Sequence, residues 1–422
     1  MADAAFSSPL AAELAEDVLE RFLRYVRFDT QSAYGSDTSP STAKQLELSR
    51  LLATELEVLG LDEVRLDDHG YVYASLPGAK DVVPIGLIAH VDTSPDVTGT
   101  NVQPQVWRAW DGTRIELPGD PARVLDPADS PALADRVGHD LVTTDGTTLL
   151  GADDKAGVAE IMAALAYLKR EGGREHAPVR VCFTTDEEIG AGADHLDLEE
   201  FGARYAYTFD GSGLGEIETE TFFAWRVRVT FVGRAVHPGS AKGKLVNAVK
   251  LAADFVASLP RDRLSPETTE EREGFVHVTE ITGTAESTRV TLIVRDHDEA
   301  QLEQHLALVR TLADDVAAAE PRSHVEVDAE EQYRNMREVI DRHPEVVEAA
   351  EEAVRRAGVE PVRTIIRGGT DGARLSHRGL PTPNVFTGGQ EYHSRSEWAS
   401  VQDMAAAAAT AVELARVWAE RL

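Results

Sequence analysis

Three short clusters of acid and imidazole stand far apart in this chain. The first is His90-Val-Asp92, at the end of the apolar run Pro84-Ile-Gly-Leu-Ile-Ala. The second is Gly151-Ala-Asp-Asp-Lys155, entering a helix, and the third is Thr184-Thr-Asp-Glu-Glu188, after Val179-Arg-Val-Cys-Phe183. Asp210, closing Tyr205-Ala-Tyr-Thr-Phe209, and His393, in Glu391-Tyr-His393, extend the set. Each sits where a buried strand should meet a loop. Carboxylate oxygens and imidazoles converging on one rim are what a pair of zinc-like cations requires, and such a pair activates water for hydrolysis.

The residue types fit distinct roles. His90 and Asp92 are two apart, so an extended backbone puts them on one face, where a carboxylate can hold the imidazole's second N–H. Asp153 has two oxygens and can bridge two cations. Of the adjacent Glu187 and Glu188, one can ligate metal while the other takes a proton from the attacking water and returns it to a leaving amine. Singly, each cluster has an ordinary use: Asp153 as a helix N-cap, Asp-Glu-Glu as a solvated acidic loop, a histidine as a satisfied core residue. Their joint occurrence beside strand ends carries the argument. Arg367-Gly-Gly-Thr-Asp371 adds glycines that allow close backbone approach and an arginine able to grip a carboxylate. The chain has no Gly-x-Ser-x-Gly elbow and no phosphate-cradling Gly-x-x-x-x-Gly-Lys-Ser/Thr.

These residues must be positioned by a large scaffold. At 422 residues the prior is two or more domains. A formal net charge of -31 argues against nucleic acid as a partner. The single cysteine, Cys182, excludes a disulfide framework and reads as a small core residue. The N-terminus, which carries Asp3 and Glu13, lacks the pattern of a secretory signal, and no apolar run is long enough to span a bilayer, so a cytoplasmic protein is expected.

Helices are expected over Leu10–Arg27, Ser41–Leu59 and Lys155–Lys169, and buried strands over Ile85–His90, Val179–Phe183 and Tyr205–Phe209. Pro95–Thr144 reads as long loops with short elements, of no assignable function. From about residue 222 strands alternate in polarity. The order Phe223–Phe231, Leu245–Leu259, Phe275–Ile281, Arg289–Arg295, Glu299–Ala319, His324–Val327 is β-α-β-β-α-β, the ferredoxin-like pattern. The expectation is an α/β protein with a mixed, mostly parallel sheet flanked by helices. Residues 1–221 and 335–422 would form a discontinuous catalytic domain, with 222–334 an inserted ferredoxin-like α+β domain acting as lid or dimerisation module. Helices close the chain near Pro344–Ala357 and Val401–Leu422.

With those residues in place, the chain resembles the dizinc exopeptidases, a family that includes acetylornithine deacetylase and the glutamate carboxypeptidases. The likeness runs nearly end to end, through His90-Val-Asp-Thr-Ser-Pro95, Leu149-Leu-Gly-Ala-Asp-Asp-Lys-Ala-Gly157, Thr185-Asp-Glu-Glu-Ile-Gly190, Val236-His-Pro-Gly239, Ile366-Arg-Gly-Gly-Thr-Asp-Gly372 and Phe386-Thr-Gly-Gly389. Within that family, the Thr-Ser-Pro after Asp92, the Thr30-Gln31 pair and the Phe-Thr-Gly-Gly before His393 narrow it to the tripeptide aminopeptidases. The resemblance implies two Zn2+ ions per subunit, or other divalent metals. His90, Asp153 and Asp210 would hold one and Asp153, Glu188 and His393 the other. It implies Glu187 as general base, Asp92 as the group orienting His90, and a cis peptide after Asp153. His237 would reach the substrate carbonyl, and Asn247, Arg295 and Arg367 would contact a substrate carboxylate. The substrate would be a short peptide, and the inserted domain a candidate surface for a homodimer. Rival readings are a dipeptidase, a carboxypeptidase or an N-acyl amino acid deacylase with the same ligands, and a non-catalytic peptide- or metal-binding protein on the same fold.

Overall fold

Short continuous apolar runs bounded by loops have nowhere stable to go except a sheet covered on both faces. In the computed structural model, which describes residues 6–173 and 175–421, that is their fate. Ile85–His90 lies parallel to Val179–Thr184 on one side and to Tyr205–Gly211 on the other. Asn384–Phe386 continues the parallel set beside Tyr205–Gly211. Antiparallel strands flank this centre, giving eight strands in the order Asp62–Leu66, Val72–Leu76, Val179–Thr184, Ile85–His90, Tyr205–Gly211, Asn384–Phe386, Glu216–Glu220, Val362–Ile365. Every residue of Ile85–His90 is buried. The mixed α/β sheet flanked by helices expected from the sequence is what forms.

Contacts group the described chain into two compact units. One comprises residues up to Thr219 with Met336–Thr364 and from Thr370 onward; the other is Glu220–Asn335 with Ile365–Gly369. In the first unit, helix Ala152–Glu171 packs on strands Ile85–His90 and Tyr205–Gly211 and against helices Pro9–Tyr25 and Val401–Glu420. It is buried on nearly all sides, hence its alanines and glycine. At Gly157 the packing is closest: a Cβ would overlap the carbonyl oxygen of Phe209 and the carboxylate of Asp154. Asp3 and the last residue of the expected helix Val401–Leu422 lie outside the described residues.

The stretch Pro95–Thr144 is more ordered than its composition suggested. Gln105–Trp107 and Leu141–Thr143 pair with Trp398–Ser400 and Gly389–Gln390 in a small four-stranded sheet. Trp110, Ile115, Leu117, Leu133 and Trp398 form a core beneath it. This sheet anchors the hairpin whose tip carries His393.

The second unit follows the alternation seen in the sequence. Its strands run in the order Phe275–Gly283, Ser287–Asp296, Phe223–Val232, His324–Tyr333, all antiparallel. Inward residues such as Val227, Val229, Phe231, Leu292 and Val294 meet Leu251, Phe255, Leu302 and Leu306 of helices Ala248–Ser258 and Glu299–Ala319. Asn247 and Asp298 cap the two helices with their side-chain oxygens.

Because Gly157 joins the helix that begins at the Asp153 turn to the strand that carries Asp210, its replacement has a defined cost. Gly157→Ala is expected to destabilise the protein by about 1–3 kcal/mol through overpacking. Urea denaturation with an unchanged midpoint would contradict this packing.

Candidate functional site

The parallel strands set the geometry. His90 ends one strand opposite Thr184 of the next, Asp210 lies near the end of the third, and ligands in open α/β sheets gather at such carboxyl ends. Helix Ala152–Glu171 begins with a break at Asp153 and Asp154, whose connecting peptide is cis, as the resemblance implied. Glu187 and Glu188 open a short 3-10 turn after Thr184, and His393 occupies the hairpin tip with a left-handed backbone, φ 55°.

These side chains meet in the first unit. His90 Nε2 lies 2.9 Å from Asp153 Oδ1, 3.6 Å from Asp210 Oδ1 and 3.8 Å from Glu187 Oε2. His393 Nε2 lies 2.8 Å from Glu188 Oε2 and 3.2 Å from Asp153 Oδ2. The two oxygens of Asp153 therefore face opposite ways, one toward each imidazole. Asp153, Glu188 and His393 bring one ligand atom each within 4.8 Å of one another, as do His90, Asp154 and Asp210. In the latter set Asp154 is otherwise engaged, because its oxygens accept the backbone N–H groups of His90 and Gly157. Asp153, with Oδ1 nearest His90, is the better third member. Glu187 belongs to neither group.

The donor set suits divalent cations. Tetrahedral zinc with bonds of about 2.0–2.1 Å places neighbouring ligand atoms roughly 3.3 Å apart, close to the separations here. The Nδ1 of His90 is 3.1 Å from the carbonyl oxygen of Asp92. A carbonyl only accepts, so Nδ1 carries a proton, and Nε2 is the nitrogen that faces the carboxylates and would bind a cation once its own proton is displaced. Glu188 Oε1 is buried without a hydrogen-bond partner, an orphan that a cation would satisfy.

Electrostatics records the crowding. Burial pushes Glu188 up to about 8 and Asp210 up to about 6, and the charge of Asp153 adds to both. Burial, with help from Asp210, Asp371 and Glu188, also drives Glu187 well above the ordinary carboxylate range. Asp153 moves the other way: burial opposes its charge, but hydrogen bonds from His393 and His90 hold it below that range. For the same reason both imidazoles rise against the effect of burial, His393 to about 11 through Asp153 and Glu188 and His90 through Asp153, Asp210 and Asp92.

The loops carrying these groups are tied down by carboxylates. The carboxylate of Asp92 lies 3.4 Å from His90 Nδ1, farther than its own carbonyl. It accepts the backbone N–H of Glu187 at 3.0 Å and of Glu188 at 3.2 Å. Asp186, at φ 62°, accepts from Ser41 N and Oγ and from Gln45 Nε2. Asp371 accepts from Thr184 Oγ1 at 3.0 Å. Glu397 accepts from three backbone amides of the Asp153 turn. Sequence reasoning passed over Asp186, Asp371 and Glu397 as agents. Asp371 and Asp186 lay inside motifs already singled out, and Glu397 follows His393 by four residues; nothing in the sequence pointed to Ser41 or Gln45.

The other expected residues lie in the second unit. His237 Nδ1 accepts from Gly239 N, and Asn247 Oδ1 from Val249 N. Arg295 stacks over Tyr333, and its buried Nε has no hydrogen-bond partner. Arg367 donates to the carbonyls of Thr269, Glu271 and Glu273 and lies over Phe222 and Phe275, so its guanidinium already binds its own unit together.

Known proteins resemble this chain along most of its length. Residues 141–417 match a model of Peptidase family M20/M25/M40. The chain is 46% identical over 410 residues to Peptidase T of Geobacillus sp. (strain WCH70), covering 97% of this chain and 100% of that one. The solved structure of aminopeptidase PepT from Bacillus cereus superimposes with a TM-score of 0.72 at 25% identity, covering 96% of this chain and 99% of that one. A tripeptidase from Staphylococcus aureus shares the fold with a TM-score of 0.76 at 22% identity, over 96% and 99% of the two chains.

The raised imidazoles have a measurable consequence. His393, at about 11, holds its proton at pH 7 in the metal-free protein, His90 is shifted in the same direction by Asp153, Asp210 and Asp92, and a cation must displace such protons. Calorimetric titration with zinc in buffers of different ionisation enthalpy should show net proton release, with affinity rising as pH rises. Binding at neutral pH without proton release would contradict the pairing described.

Proposed function

The chain belongs to Peptidase family M20/M25/M40, and from that premise we propose that it is a metal-dependent aminopeptidase removing the N-terminal residue from tripeptides. The observation that carries this reading is the Asp153 carboxylate, with one oxygen toward His90 and the other toward His393, beside a glutamate that belongs to neither ligand group. The relatives named Peptidase T and the aminopeptidase structure support the reaction class.

In this reading His90, Asp153 and Asp210 hold one divalent cation, and Asp153, Glu188 and His393 the other, zinc being the first choice for imidazole and carboxylate donors. When bound, such a pair supplies Lewis acidity toward a peptide carbonyl and toward water. Glu187 takes the proton of the attacking water and delivers it to the leaving amine. Its place is fixed by the Asp92 carboxylate, which holds the backbone amides of Glu187 and Glu188. Asp92 also fixes the tautomer of His90 through its carbonyl. To the second unit, as the inserted lid domain, we assign peptide recognition. His237 would serve the scissile carbonyl, and Asn247 and Arg295 the peptide carboxylate. Arg295 suits that role better than Arg367, whose two terminal nitrogens already donate to Thr269, Glu271 and Glu273. A cytoplasmic location fits a single, buried cysteine, and among the described residues no helix is long and apolar enough to cross a membrane. Homodimerisation through the second unit is supported by its edge strand Phe275–Gly283, exposed from Thr279 onward.

Glu187→Ala should lower kcat by about 10²–10⁴-fold while the protein still binds zinc. Near-normal turnover would remove Glu187 as the base. Chelation should abolish activity and zinc restore it. On a panel of di-, tri- and tetrapeptides with free or blocked amino termini, hydrolysis should favour free tripeptides. Preference for dipeptides, for cleavage at the carboxyl end or for N-acyl amino acids would select a rival reaction of the same site, and no turnover of any substrate would select the binding-protein reading.

A further inference from the structure

Four residues beyond His393 lies Glu397, buried to 1% exposure. Its Oε2 accepts the backbone N–H of Leu150 at 2.7 Å and of Gly151 at 2.8 Å, and its Oε1 accepts that of Asp153 at 3.1 Å. Gly151 has φ 83°, a conformation that lets successive amides converge on one anion. The backbone of Glu397 is fixed as well. Its carbonyl accepts from Thr144 N at 3.3 Å, and the next residue, Trp398, pairs with Thr143 on one side and Gln390 on the other.

We propose that Glu397 is a positioning residue that locks the turn bearing Asp153 to the hairpin bearing His393. The inference rests on the two-cation reading above. Asp153 and His393 are separated by 240 positions in sequence, yet both must address the same cation. One carboxylate spans the gap, because it belongs to the hairpin of His393 and grips three amides around Asp153. It sets where the Asp153 carboxylate stands. A neutral side chain of the same shape would keep one acceptor oxygen and present an N–H2 where amide donors point, so the turn would shift although the core around Trp398 remained.

The test compares the unsubstituted chain with Glu397→Gln and Glu397→Asp, the second keeping the charge but too short to reach. Cobalt(II) serves as the probe, followed by calorimetry and by its visible absorption. Expected results are a metal-free melting temperature near that of the parent, a Kd for cobalt at the weaker site raised roughly 10–100-fold, and an altered absorption band. For tripeptides kcat should fall with KM nearly constant, and Glu397→Asp should not rescue it. Unchanged cobalt affinity and spectrum in Glu397→Gln would overturn the proposal. So would a loss of metal-free stability with affinity per folded molecule intact. If neither variant folds, hydrogen exchange in the unsubstituted chain decides. Amides of Leu150, Gly151 and Asp153 protected like the following helix support the lock, and exchange at the rate of an open loop refutes it. A parent chain that takes up no cobalt would remove the two-cation reading itself, leaving the exchange measurement to judge the lock alone.

Discussion

Crowding carboxylates into a dry space is the constraint on which the structure turns. Asp153, Glu187, Glu188 and Asp210 share one rim with two imidazoles, and their oxygens and ring nitrogens stand 2.8–3.8 Å apart. Like charges so placed repel, and burial removes the water that would screen them. Protons relieve the strain only in part, as the raised Glu188 and Asp210 show. Divalent cations would relieve the rest, and Asp153, with an oxygen toward each imidazole, is where two of them would meet.

A site of this charge density needs a stiff frame. The parallel strands deliver His90, Thr184 and Asp210 to the same end of the sheet, and helix Ala152–Glu171 is pressed against them through Gly157. The loops that carry the chemistry have little regular structure of their own. One device recurs: an acidic side chain accepts the backbone amides or polar groups of a neighbouring segment. Asp92 does so for Glu187 and Glu188, and Glu397 for the Asp153 turn. Asp186 does so for Ser41 and Gln45. Hydrogen bonds to charged acceptors are stronger than neutral ones, which suits loops that must hold a geometry against repulsion.

Much of this was legible in the residues, and for identifiable reasons. Ile85–His90 and Val179–Thr184 could be read because continuous apolar runs ending in acid or imidazole have few alternatives to inner strands. The β-α-β-β-α-β unit could be read because its strands alternate cleanly. Strands of three residues, such as Asn384–Phe386 and Trp398–Ser400, carry too little pattern, and their partners are remote: Asn384 pairs with Thr208 and Trp398 with Thr143. The ordered core beneath Pro95–Thr144 was hidden for the same reason, since Trp398 completes it from the other end of the chain. The supporting acids Asp186 and Glu397 look in sequence like any surface acid. Only burial and the amides they accept set them apart. Asn247 and Arg367 carry a second duty that sequence alone does not reveal: one caps a helix through its side-chain oxygen and the other ties local carbonyls together.

The central claim is that two cations flank Asp153, and diffraction at the zinc absorption edge tests it most directly. Crystals grown with zinc should give two anomalous peaks about 3.5–4 Å apart. One would lie against His90 and Asp210, the other against Glu188 and His393, with a carboxylate oxygen of Asp153 reaching each. A single peak, or zinc bound away from Asp153 in crystals of active protein, would contradict the account.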